Sequence, residues 1–212
     1  GVFRSKDGGA TWEKVLYKNE STGAIDLVMS PGDPDVLLAA LWTFERKAWG
    51  SFFGGPDGGI WRSRDGGDTW KEITANPGLP EGETGRIGLT MSAADPDRVY
   101  ALVDSATQSG LYRSDDAGDT WRFVSGDANV TARPFYFTHI YADPNNADNL
   151  WSPGNKLWRS VDGGESWILE PSIKDDFHDI WIDPEDPDHL ITGSDGGLYA
   201  SYDGGNAWEA HP

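Results

Sequence analysis

Cysteine is missing from all 212 residues, which removes disulfides and thiolate metal sites and leaves either redox compartment open. Histidine occurs only four times, at His139, His178, His189 and His211, with no paired spacing. No metal site is therefore expected, and no cofactor is implied. Basic residues are also scarce: 17 Lys and Arg stand against 35 Asp and Glu, a net charge of −18. Such a chain repels phosphate backbones and anionic lipid, so nucleic acid and membrane surfaces are poor partners. No apolar run is long enough for membrane insertion, and no helix-period run exceeds about two turns. Residue 1 is not Met and opens no signal peptide; Gly1, Val2, Phe3 and Arg4 read as mid-strand. That predicts a processed, excised or partial chain.

What is abundant points to strands and turns. The chain has 11 Trp and 27 Gly although only 37% of it is apolar, a pairing that suits strands packed by large aromatics and joined by tight turns. Five segments align without gaps: Ser5–Trp12, Ser63–Trp70, Ser114–Trp121, Ser160–Trp167 and Ser201–Trp208. Their pattern is S-x-D-x-G-x-[TSA]-W, and successive serines are 58, 51, 46 and 41 residues apart. A fixed corner at such a period marks repeated supersecondary units decorated by loops.

The corner has a physical logic. A Ser hydroxyl and an Asp carboxylate can bond the turn's own amides, the glycine permits a positive φ, and the closing Trp can pack beneath the hairpin. Asp7, Asp65, Asp116, Asp162 and Asp203, with Trp12, Trp70, Trp121, Trp167 and Trp208, are thus expected to be structural staples. Five equivalent copies argue against a catalytic role.

A second motif alternates with the first. Asp33-Pro34, Asp95-Pro96, Asp143-Pro144 and Asp183-Pro184 each sit between two apolar runs, where the aspartate can bond backbone and proline presets φ. The unit then reads strand, Asp-Pro turn, strand, variable loop, strand, box, strand. That is the four-stranded antiparallel blade of an all-β β-propeller. The spacing predicts a half blade over 1–17 and blades over about 23–74, 86–125, 135–170 and 176–210. Four and a half blades predict a segment of a larger propeller, completed by remaining blades of a longer chain or by a partner subunit.

The boxes resemble Asp-box (BNR) repeats, found in sialidases, xyloglucanase-type glycoside hydrolases and the sortilin/VPS10 propeller. The likeness leans toward bacterial sortilin-like "glycosyl hydrolase" BNR-repeat proteins. It extends beyond the boxes to Arg46–Trp49 with Gly54–Gly59, Gly85–Leu89, Arg133–Phe137, His178–Pro184 and Gly193–Gly197. The resemblance implies a placement outside the cytoplasm, periplasmic or secreted. It specifies the fold sharply and the activity poorly, because one fold hosts many functions.

Glycoside hydrolysis needs two carboxyls flanking the bond, and the candidates are Asp175, Asp176, Asp179 and Asp195 near His178. The competing reading is that Asp179 and Asp195 bond backbone at strand ends. Sialidase chemistry would need an arginine cluster, yet Arg4, Arg62, Arg113 and Arg159 all precede a box serine and read as structural. The run from Thr43 to Phe53 reads as a long aromatic loop, not as strand. Arg46, Trp49, Phe52 and Phe53 within it, with Tyr136 and His178, are candidates for stacking on a sugar or a peptide. Asp143–Asp148 lacks the carboxylate spacing of a calcium loop and reads as a turn. The leading expectation is a non-catalytic binding or scaffolding module for a protein, peptide or carbohydrate ligand. The alternative is a hydrolase of the xyloglucanase-like Asp-box type acting on a neutral polysaccharide.

Overall fold

The computed structural model describes residues 1–170, 173 and 176–211. Its described residues are strands, turns and bends, with no helix among them. A leading hairpin joins β1 (Val2–Arg4) to β2 (Glu13–Leu16). Blade I follows, with β3 (Thr22–Met29) and β4 (Val36–Thr43). A projecting hairpin of β5 (Glu45–Lys47) and β6 (Gly50–Phe52) then interrupts it before β7 (Gly59–Arg64) and β8 (Lys71–Glu72). Blade II comprises β9 (Thr84–Ser92), β10 (Asp95–Ser105), β11 (Gly110–Ser114) and β12 (Arg122–Ser125). Blade III comprises β13 (Tyr141–Ala142), β14 (Leu150–Pro153), β15 (Leu157–Ser160) and β16 (Ile168–Leu169). Blade IV comprises β17 (Phe177–Ile182), β18 (Leu190–Ser194), β19 (Gly197–Ser201) and β20 (Glu209–His211). Each blade is an antiparallel sheet whose four strands pair in chain order, and together they form a β-propeller.

The expectation of an irregular run from Thr43 to Phe53 is corrected. Glu45 pairs with Phe52 and Lys47 with Gly50, so the segment is a two-stranded hairpin turning at Ala48 and Trp49. An ion pair of 2.5 Å between Lys47 and Glu45 ties its first strand.

All five boxes close as a hairpin turn of the same construction. The Ser Oγ accepts the fifth-position amide at 2.7–2.9 Å, as from Gly9 to Ser5 and from Gly205 to Ser201. The Asp Oδ1 accepts the seventh-position amide at 2.8–3.0 Å in every box. The Thr11 hydroxyl and amide, followed by Ser5, hold Asp7 down to about 2, and Thr69 and Ser63 do the same for Asp65. At Asp116 burial alone would raise the carboxyl, but Thr120 and Ser114 outweigh it and lower it. The fifth-position glycines have φ near +90°, and a Cβ on Gly164 would lie 2.1 Å from Leu111 Cδ2 of the blade before it. Glycine there serves the turn and the blade packing at once.

The core lies between blades. In each of the four junctions, the residue three before a box serine in one blade packs on the next blade's residue two before its serine and on its box Trp. Ile60 of blade I meets Tyr112 and Trp121 of blade II, and Leu111 of blade II meets Trp158 and Trp167 of blade III. Leu157 of blade III meets Tyr199 and Trp208 of blade IV, and Val2 of the leading hairpin meets Trp61 and Trp70 of blade I. The arginine before the box serine adds a stitch. Arg4 donates to the Gly66 carbonyl, Arg62 to Ala117 and Arg159 to Gly204, each at 2.7–2.8 Å across a junction. Arg4 and Arg62 also bond Asp68 and Asp119 at 2.6 Å. Arg113 breaks the pattern and joins Asp115 and Asp148 instead.

Candidate functional site

Register decides which loops share a face. Val36 pairs with Arg64 at one end of blade I, whereas Trp42 pairs with Gly23 at the other. The Asp-Pro turns and boxes therefore crowd one face. Loops leaving the second strand and approaching the first strand crowd the opposite face, as the pairs Thr84 with Ser105 and Phe177 with Ser194 also require.

That opposite face carries a continuous run of aromatic rings. Trp42 lies 4.9 Å from Phe44, Phe44 lies 5.7 Å from Phe53, and Phe53 stacks on Phe135 at 4.8 Å. Phe135 leads to Tyr136, which meets Phe137 at 4.7 Å, and both Tyr136 and Phe137 reach His178 at 5.8 Å. The arc thus runs from blade I to blade IV. A tight turn presents its middle: the Tyr136 and Phe137 amides both donate to the Arg133 carbonyl, with Arg133 at φ +49°. The Arg133 guanidinium returns over Tyr136 and Phe137, and Arg86 lies over Trp42. Phe44, Phe53, Phe135 and Tyr136 are each 36–47% exposed, so the rings present a contiguous apolar surface.

Beneath the arc the first strands line a channel. A cavity of about 370 Å³ is bounded by Asp26, Arg86, His139 and Tyr141 among aliphatic side chains. A second, of about 470 Å³, continues from Tyr141 and Asp179 toward Pro31, Pro144 and Pro184 on the box face. Arg86 donates to the Tyr136 carbonyl at 3.0 Å and contacts His139 Nε2 at 3.2 Å. Burial, then Arg86, pulls His139 down to about 4, so the ring is neutral at pH 7 and accepts from the guanidinium. Burial also lowers Arg86, partly offset by Asp26, and burial raises Asp26 although its oxygens accept the Leu27 and Leu89 amides at 2.8 Å. Tyr141 is raised by burial and by its hydrogen bond to Asp179.

The sequence-predicted residues divide into two groups. Phe53, Tyr136 and His178 meet in the arc. Arg46, Trp49 and Phe52 sit on the β5–β6 hairpin, with Trp49 81% exposed and the Lys47 ammonium 5.9 Å from the Phe52 ring. Of the carboxylates, Asp195 Oδ1 lies 2.9 Å from His178 Nε2, which brings it to the edge of the arc. Asp179 sits at a bulge in β17, accepting the Ile180 amide at 2.8 Å. Asp176 has φ +60°, its amide donates to the Asn155 carbonyl and its carbonyl accepts the Asp195 amide. Asp175 lies outside the described residues.

Sequence reasoning missed Trp42, Asp26, Arg86 and His139. A signal existed for three of these. Asp26, Gly88, His139 and Asp179 each stand four residues before the residue that enters the turn after the first strand, at Ser30, Ser92, Asp143 and Asp183, with the Asp-Pro pair of blades I and II following three residues later at Asp33 and Asp95. Aligning the blades on that turn brings one channel position into register, with Arg86 two residues before it in blade II.

The BNR/Asp-box repeat family matches residues 3–14. The xyloglucanase Xgh74A of Acetivibrio thermocellus is 27% identical over 196 residues, covering 79% of this chain and 22% of that protein. Vacuolar protein sorting/targeting protein 10 of Sordaria macrospora is 33% identical over 86 residues, covering 40% of this chain and 5% of that protein. The chain thus spans under a quarter of the length of these relatives. Among solved structures, the GH74 xyloglucanase of Xanthomonas campestris superposes with a TM-score of 0.58 at 24% identity, over 88% of this chain and 29% of that one. YCF48 bound to D1 peptide superposes with a TM-score of 0.53 at 19% identity, over 98% of this chain and 59% of that one. At these identities the structural likeness carries the fold alone.

Proposed function

We propose that this Asp-box β-propeller is a non-catalytic binding and scaffolding module, working outside the cytoplasm, that takes a protein, peptide or glycan ligand on the face opposite its boxes. One observation carries the reading: the half-exposed aromatic arc from Phe44 through Phe53, Phe135 and Tyr136 to His178, set over the channel mouth. Rings at that exposure cost solvation and are retained where a ligand covers them. The box face, by contrast, commits its corners to the fold. YCF48, which superposes on this fold, is solved bound to D1 peptide, and that supports a peptide as one ligand class.

A second reading is hydrolysis of a neutral polysaccharide. The xyloglucanase relatives favour it, and so does Asp195, whose side chain is 70% exposed beside His178 at the arc. Against it, Asp179 is engaged by the backbone at its bulge. One experiment separates the two. The chain is titrated with xyloglucan oligosaccharides and with a peptide array, for wild type, Phe135→Ala and an exposed control, Val161→Ser. Binding that Phe135→Ala weakens at least tenfold while Val161→Ser does not supports the module. No binding, or binding indifferent to Phe135, overturns it. Release of reducing sugar that Asp195→Asn abolishes establishes the hydrolase instead.

A further inference from the structure

The channel has a second mouth, on the box face, and its chemistry differs from that of the arc. The cavity of about 470 Å³ there lies on the channel and not on a flank, because blades I to IV all contribute: Pro31, then Met91, then Pro144, then Trp181 with Pro184. Its walls are apolar. Trp181 is 48% exposed and meets His189 edge-on at 5.5 Å, and His189 stacks in turn on Tyr202 at 4.8 Å. Blades I, II and III have Val28, Thr90 and Tyr141 at the repeat position of Trp181. Asp179 lines the same cavity and is exposed. It precedes Trp181 by two residues on β17, toward the arc, and a strand rise of about 3.3 Å per residue sets it about 7 Å deeper.

The rim of this mouth is acidic. Its prolines belong to the turns between first and second strands, residues 30–35, 92–97, 143–148 and 183–188, which hold two, two, two and four carboxylates and no Lys or Arg. Asp33, Asp143 and Asp183 serve their own turns, each accepting the amide two residues on. Asp35, Asp97, Glu185, Asp186 and Asp188 are exposed. Arg98, just past the second turn, is engaged by Asp95, Asp115 and Asp148. Apolar walls inside a carboxylate rim, with a further carboxylate at the inner end, fit an aliphatic stem that carries a cationic head. The Trp181 ring adds a cation–π surface. An acidic segment would be repelled by the rim, and a short polar one would leave the walls uncovered.

We propose that the box-face mouth docks a basic segment of a partner protein, whose Lys or Arg side chain enters along Trp181 and Met91 toward Asp179 while neighbouring cations of the segment meet the rim. The net charge of −18 draws such a segment in, and the cavity selects its stem. The site is independent of the arc, which lies at the other end of the channel. A ligand on the arc and a partner on the box face are then held at once by one rigid propeller.

Fluorescence anisotropy on the full chain, at a salt concentration that screens general attraction, tests this with three labelled nonapeptides. One carries lysines among glycine and serine, one has glutamate in their place, and one has 2,4-diaminobutyrate, which keeps the charge and removes two methylenes. The lysine peptide should bind and the glutamate peptide should not. The diaminobutyrate peptide should bind at least tenfold more weakly, as the loss of two buried methylenes at about 0.8 kcal/mol each predicts. Trp181→Ala and Asp179→Asn should each weaken the lysine peptide at least tenfold and Val161→Ser should not, with circular dichroism confirming the fold. Should Trp181→Ala not fold, a benzophenone beside the central lysine gives a readout on the wild type alone, and its cross-links should map to Met91 and the other cavity residues. No binding of the lysine peptide, equal binding of the diaminobutyrate peptide, binding indifferent to Trp181→Ala, or cross-links confined to the aromatic arc overturns the proposal.

Discussion

Replacing Arg62 measures what one blade-to-blade stitch contributes. Its side chain is 7% exposed, donating at 2.7 Å to the Ala117 carbonyl and at 2.6 Å to Asp119, which is itself about half exposed. A hydrogen bond from a charged group contributes about 1.5–3 kcal/mol, and truncation also strands a carbonyl on a residue buried to 7% exposure. The ion pair adds only about 0–1 kcal/mol because Asp119 is half in water. Arg62→Ala should therefore cost about 3 kcal/mol. Arg62→Lys, which cannot fork to both acceptors, should cost about 1–2 kcal/mol. Arg64 bonds the same Asp119 at 3.1 Å but is 53% exposed, so Arg64→Ala should stay within about 0.5 kcal/mol. Urea unfolding read by tryptophan fluorescence gives the midpoints. By the usual scaling, about 2–4 °C per kcal/mol at this size, Arg62→Ala should also melt roughly 6–12 °C lower. If Arg62→Ala and Arg64→Ala lose the same small amount, the stitch is ornament and junction stability resides in the apolar clusters alone.

Ala117 stands left-handed at φ +54°, where the other four boxes have Gly8, Gly66, Gly163 and Gly204. Relief of about 1–2 kcal/mol of steric strain, less about 0.5–1 kcal/mol of added chain entropy, predicts that Ala117→Gly raises stability by about 0.5–1 kcal/mol; a lowered urea midpoint refutes this. His139 tests the channel by pH. Its native pKa, about 4, is below the unfolded value, so as pH falls from about 6.5 the unfolded chain binds a proton that the native ring refuses. Its contribution is complete above about pH 6.5 and lost as pH falls toward 4, by up to about 3 kcal/mol. The difference in unfolding free energy between wild type and His139→Gln should shrink or reverse across that window, and a difference independent of pH contradicts the burial of a neutral ring.

The boxes were legible because each is a local object. Eight residues contain the Ser, the Asp, the glycine and the Trp that bond one another, so five copies identify five hairpins before any long-range contact is known. Blade order followed from the alternation of boxes with Asp-Pro turns. The regular placement of Arg4, Arg62, Arg113 and Arg159 marked them as structural, but not their target. For Arg4, Arg62 and Arg159 the carbonyl acceptor lies 45–62 residues further on, in the next blade, at distances only the assembled junction shows. The β5–β6 hairpin was hidden for the opposite reason: its strands are three residues each, too short for an alternation to register.

The candidate site was legible by composition and not by arrangement. Phe53, Tyr136 and His178 stood out as aromatic or imidazole groups in loops, yet they are 83 and 42 residues apart in the chain and become neighbours only because first-strand approaches converge over the channel. Trp49 and Phe52 carried the same local signal, but the ring contacts that build the arc do not include them. Local chemistry could not separate Phe52 from Phe53, adjacent residues of one type. Pairing does: Phe52 is held in β6 opposite Glu45, and Phe53, one residue past the strand, is released to stack on Phe135. The same logic applies to the channel. Asp26, His139 and Asp179 look unrelated along the chain, and blade repetition places them at one level because each inner strand is measured from the same turn. In a repeat fold, a residue that lines the channel is found by its position within the repeat more readily than by its sequence neighbours.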